Sequence, residues 1–114
     1  MSAITTHVLD TALGRPASGV PVRLEAVEAG TLEPVTELAS TTTNQDGRVS
    51  DFGPESLEAG HYRITFDTAT YHAATKQESF FPQVAITFTL TDPGQHYHVP
   101  LLLSPFTYST YRGS

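Results

Sequence analysis

The chain contains no cysteine, which excludes disulfides, thiolate metal sites and a cysteine nucleophile. Tryptophan is also absent, and six Lys and Arg stand against twelve Asp and Glu, giving a formal charge of −6. A surface that tracks a phosphate backbone needs clustered cations, so nucleic acid is not an expected partner. No run approaches the roughly 20 apolar residues that a membrane-spanning helix requires. The opening MSAITTHVLD has neither the basic nor the apolar stretch of a secretory signal. These absences lead us to expect a cytoplasmic protein that does not engage a membrane. The G-x-S-x-G signature of a serine nucleophile is missing as well.

What is present is strand-like. At 114 residues the chain has the size of one domain, and we read 1–114 as a single unit with its own core. Residues 4–10 (ITTHVLD) are β-branched and apolar, and alternation puts His7 on the face of Thr5 and Leu9, opposite Ile4, Thr6, Val8 and Asp10. Residues 14–19 (GRPASG) read as a loop, and residues 20–28 and 35–43 as two further strands. Asn44-Gln45-Asp46-Gly47 then forms a turn in which Gly47 supplies a positive φ, with Arg48 immediately after it. A short strand near Val49 and Phe52, and others over residues 61–67, 84–90, 96–103 and 106–111, complete the series. Residues 68–77 (TATYHAATKQ) lack Gly and Pro and follow an N-cap candidate in Asp67 or Thr68, so they form the one expected helix. Short strands with frequent turn signals and a single helix predict an all-β, two-sheet sandwich.

Five histidines remain to be explained. In residues 96–103 (HYHVPLLL) alternation gives His96 and His98 a common face, while Tyr97, Val99, Leu101 and Leu103 turn the other way. With no nucleophile available, hydrolytic chemistry would use water activated by a neutral imidazole, with an arginine opposing the negative charge that develops. The candidates are His7, Arg48, His96, His98, Tyr111, Arg112 and Ser114. Plainer readings compete: His7 as an ordinary polar residue on an open sheet face, Arg48 as a solvated arginine, and Arg112 as part of a frayed end. The H-x-H pair could ligate zinc, although no carboxylate or cysteine motif accompanies it. His61 and His72 read as surface residues.

Three segments, TTHVLDTALGRPA, TNQDGR and HYHVPLLLSPFTYSTYRGS, resemble in order and spacing the transthyretin-like 5-hydroxyisourate hydrolases. The terminal YRGS is what sets that group apart from transthyretin. The resemblance implies a β-sandwich of two four-stranded sheets with one short helix, assembled as a homotetramer with its sites in a channel between dimers. It implies hydrolysis of 5-hydroxyisourate to 2-oxo-4-hydroxy-4-carboxy-5-ureidoimidazoline in urate degradation, with no metal or cofactor. His7, Arg48 and His98 would be catalytic, and these three with Tyr111, Arg112, Gly113 and Ser114 would bind substrate. The alternative within the same fold is a carrier that holds a small aromatic ligand in the inter-dimer channel.

Overall fold

The alternation of residues 4–10 builds the first strand, β1 (Ile4–Asp10), in which Ile4, Thr6, Val8 and Asp10 are buried and Thr5, His7 and Leu9 are half-buried. The structure, a computed structural model, describes residues 2–113. After β1 come β2 (Arg15–Pro16), β3 (Pro21–Val27), β4 (Pro34–Thr42), β5 (Arg48–Val49) and β6 (Gly60–Phe66). Helix α1 (Thr68–Ala74) follows, and then β7 (Val84–Leu90), β8 (Tyr97–Leu103) and β9 (Tyr108–Thr110). One sheet runs β2-β1-β8-β9 with β5 also paired to β1, and the other runs β4-β3-β6-β7. The expected two-sheet sandwich with one short helix is present. The first sheet counts five strands because β2 and β5, two residues each, share one edge of β1.

The inner faces of the two sheets form the core, where Ile4, Val8, Leu24, Ile64, Phe66 and Leu101 are fully buried. Each such side chain withdrawn from water contributes about 1.5–3 kcal/mol. Tyr97, Val99, Leu101 and Leu103 all face this core, so the opposite face of β8 is left for His98. Strands β1 and β8 are parallel, with Thr5 opposite His98 and His7 opposite Pro100. No helix among the described residues is long and apolar enough to cross a membrane.

Helix α1 begins where expected, with the Asp67 carboxylate accepting the Thr70 N–H at 3.1 Å. It ends three residues earlier than the composition predicts. Lys76 takes φ +58°, and the N–H groups of Gln77 and Lys76 bond to the carbonyls of His72 and Ala73 at 2.8 and 3.2 Å. This is a Schellman closure built on a lysine instead of a glycine. Thr68, Tyr71 and His72 face inward, and the Tyr71 hydroxyl donates to the buried Asp10 carboxylate at 2.6 Å.

His72 is therefore not the surface residue that its polarity predicts. It is fully buried, because the i, i+4 relation to Thr68 turns it toward the sandwich. Neither ring nitrogen has a hydrogen-bond partner among the described residues. Burial lowers its pKa, and the nearby Asp10 carboxylate opposes the shift only in part. The unfolded imidazole thus gains a proton at a pH where the folded one stays neutral. Stability is retained above the ordinary histidine pKa of about 6.5 and lost as pH falls below it, by up to about 1.4 kcal/mol per pH unit for this one group. Urea unfolding at pH 7.5, 6.5 and 5.5 should show this decline, and His72→Leu should flatten it. Equal slopes for the two proteins would contradict the assignment.

Candidate active site

Two strand pairings assemble the site on the outer face of the first sheet. β1 places His7 directly opposite Arg48 of β5 on one edge and Thr5 opposite His98 of β8 on the other. Paired residues share a face, as do residues two apart on one strand, so Thr5, His7, Arg48 and His98 form one cluster. Arg48 is held there by its turn. The Asn44 side-chain oxygen accepts the N–H groups of Asp46 and Arg48 at 2.9 and 3.0 Å, while the Gly47 carbonyl accepts the Val8 N–H at 2.7 Å. Gly47 has φ +73°, and a β-carbon there would stand 2.4 Å from the Val8 carbonyl oxygen. Only glycine lets the turn lie this close to β1.

The cluster favours the neutral form of the His7 and His98 imidazoles. The pKa of His98 is lowered by burial first, then by the positive field of Arg48, and then by His7 and His96. That of His7 is lowered by burial and by Arg48, which together outweigh the opposing effect of Asp46. His7 Nε2–H donates to the Asp46 carbonyl at 2.9 Å. Beside these groups lies a cleft of about 210 Å³ lined by Thr5, Thr6, Arg48, Ser50, His96 and His98. Neutral imidazole bases beside an exposed guanidinium suit the activation of water and the stabilisation of an oxyanion.

The C-terminal segment divides between two places. Gly113 pairs with His98 and donates its N–H to the His98 carbonyl at 2.8 Å. A β-carbon at Gly113 would come within 2.7 Å of His98 Cδ2, so this glycine fixes how the chain end lies against the ring. The Arg112 guanidinium stacks over the Tyr97 ring, 4.3 Å from its centroid, and donates to Gln95 Oε1 at 2.9 Å. With the exposed Tyr111 it lines a second cleft of about 360 Å³ between β7 and β9, with Ile86 and Phe88 on the other wall. Within the chain the structure thus brings together His7, Arg48, His96, His98 and Gly113, and holds the Tyr111 and Arg112 side chains at a different cleft. Ser114 lies outside the described residues.

Thr5 and Ser50, both lining the first cleft, were not among the sequence candidates. Alternation already put Thr5 on the face of His7, and that was the available signal. Ser50 had none. His61 bonds to Thr89 at 3.0 Å on the other sheet, far in topology from this cluster. Among the described residues no three His, Asp or Glu side chains converge as metal ligands.

Comparison with known proteins points to one family. The family model described as HIUase/Transthyretin matches residues 4–113. The chain is 48% identical to the 5-hydroxyisourate hydrolase of Mus musculus over 114 residues, covering 99% of this chain and 96% of that protein. Among solved structures, the 5-hydroxyisourate hydrolase of Klebsiella pneumoniae superposes with a TM-score of 0.82 at 39% identity, covering 97% of this chain and 98% of the other. Sea bream transthyretin in complex with thyroxine superposes with a TM-score of 0.87 at 28% identity, over 97% and 94% of the two chains.

Proposed function

The chain belongs to the HIUase/transthyretin family, and from that premise we propose that it hydrolyses 5-hydroxyisourate in urate degradation. The observation that carries this reading is the grouping of two imidazoles, His7 and His98, with Arg48 on one sheet face, where burial and the guanidinium lower the pKa of both histidines. A carrier of a small aromatic ligand has no need of a base beside a guanidinium, whereas hydrolysis of a cyclic amide can use both, one to activate water and one to meet the developing oxyanion.

In the reaction, an imidazole takes a proton from water as the water oxygen bonds to the C6 carbonyl carbon of the substrate. The carbonyl oxygen becomes negative and is met by Arg48. Collapse of the intermediate breaks the C6–N1 bond, and the imidazolium returns the proton to the departing nitrogen. One water is consumed, and the ring opens to a carboxylate. Residues 111–114 are taken to complete the substrate surface: Gly113 pairs with His98, Tyr111 and Arg112 anchor the segment that carries it, and Ser114 is assigned to substrate binding by the resemblance of the YRGS motif.

The test is to generate 5-hydroxyisourate in situ from urate and follow its ultraviolet absorbance with and without the protein. Accelerated decay is expected. Decay at the spontaneous rate, together with saturable binding of a small aromatic ligand, would replace the hydrolase reading with that of a carrier.

The active assembly is proposed to be a homotetramer. Phe80 and Phe106 are 66% and 62% exposed, and they form a patch with Phe81 and Tyr108 beside the open edge of β9. Such a patch next to an unpaired strand edge supports association with a second copy. Light scattering should return about four times the chain mass of 12.3 kDa. A monomer at micromolar concentration would exclude a site shared between dimers.

A further inference from the structure

The hydrogen bonds around Thr5 determine which nitrogen of His98 is free to act as a base. His96 Nδ1 lies 3.0 Å from the Ser2 carbonyl oxygen. A carbonyl can only accept, so Nδ1 carries the hydrogen, and the neutral ring is left with a lone pair on Nε2. That nitrogen is 2.9 Å from Thr5 Oγ1, and the threonine hydroxyl has one proton to give. Having given it to His96, Oγ1 can only accept from its other partner, His98 Nδ1, at 2.8 Å. The hydrogen of a neutral His98 therefore sits on Nδ1.

We infer that His96 and Thr5 form a directional relay from the Ser2 carbonyl to His98, which holds His98 in its Nδ1–H tautomer and keeps the Nε2 lone pair available as the base. His96 and Thr5 are positioning residues in this scheme and need not touch substrate. His7 is held the other way, because its Nε2–H is committed to the Asp46 carbonyl at 2.9 Å and its lone pair is on Nδ1. The two imidazoles of the cluster thus present different nitrogens. This distinguishes them in role: His98 abstracts the proton, and His7 orients the substrate or water. Gly113 supports the same geometry from the far side, since its lack of a β-carbon leaves the His98 ring undisturbed.

The inference rests on the hydrolase reading for its consequence but not for its test. In ¹⁵N-labelled protein, long-range ¹H–¹⁵N spectra distinguish a protonated ring nitrogen from a bare one without any turnover. His98 is expected to show a protonated Nδ1 and a bare Nε2, and His96 a protonated Nδ1. In His96→Phe the Thr5 hydroxyl is released to donate toward His98, and Nε2–H should become the major form. Thr5→Val should lose about 10- to 100-fold in kcat with little change in KM, by analogy with the loss seen when partners that fix the tautomer of a metal-bound histidine are removed. Thr5→Ser, which keeps the hydroxyl, should recover most of the loss. A wild-type His98 with its hydrogen on Nε2 overturns the relay even if the protein opens the ring rapidly. So does a Thr5→Ser variant as impaired as Thr5→Val. A protein with the expected tautomers but no effect on 5-hydroxyisourate leaves the relay standing and removes the hydrolase reading alone.

Discussion

Replacing His98 with alanine is expected to lower kcat/KM for 5-hydroxyisourate by about 10²- to 10⁴-fold, the usual contribution of a general base. Its ring is half-buried, paired through Thr5 to His96, and lines the cleft beside Arg48. Burial and then the Arg48 field lower its pKa. The neutral form therefore persists to a pH below the ordinary imidazole value of about 6.5. The acid limb of kcat/KM in the wild-type protein should accordingly lie below pH 6.5, with activity retained as pH rises through neutrality. Stopped-flow absorbance across pH 5 to 8 measures both quantities. His61→Ala is the matched control, because His61 sits on the other sheet and bonds to Thr89. His72, which also read as a surface residue, does not serve as a control because it is buried and its loss would alter folding. A His98→Ala protein that behaves like His61→Ala would remove His98 from the mechanism.

Much of this site was legible from local pattern. The alternation of ITTHVLD and HYHVPLLL fixes which side chains leave the core, and both His7 and His98 follow it. The Asp46-Gly47 turn announces itself through its residue types, and Arg48 follows from it. What local pattern does not contain is the parallel pairing of β1 with β8, which joins Thr5 to His98 across 93 positions of sequence. Without that pairing Thr5 is one threonine among many, and the relay through it cannot be read. Other differences have separate physical causes. Arg15-Pro16 lacks the composition of a strand, yet it pairs as β2 because it returns along the edge of β1. The burial of His72 reflects packing of α1 against the sandwich, which overrides the polarity of the residue. The Tyr111 and Arg112 side chains depart from the His98 cleft because the Tyr97 ring and Gln95 offer the guanidinium a stacking surface and an acceptor.

Arg48 is expected to matter nearly as much as His98, and in a way that separates charge from geometry. Arg48→Ala should lower kcat/KM by about 10²- to 10³-fold, the scale for loss of a donor to a developing oxyanion. Arg48→Lys should recover only part of this. An ammonium restores the charge, but as a point charge on a flexible stem it lacks the planar fork that a guanidinium directs at one oxygen. The pH profile supplies an independent readout. Arg48 is among the causes that lower the pKa of both His7 and His98, so in Arg48→Ala both imidazoles should bind protons more readily and the acid limb should move to higher pH. In Arg48→Lys the limb should stay near its wild-type position even though the rate does not recover, because the positive field is retained. The Gly47 turn keeps these outcomes interpretable: the contacts that hold Arg48 beside β1 are made by backbone groups and the Asn44 side chain, and none is lost when the guanidinium is removed. An Arg48→Ala protein with an unshifted acid limb would show that Arg48 does not set the protonation of the histidines. An unshifted limb together with an unchanged rate would remove Arg48 from the site altogether.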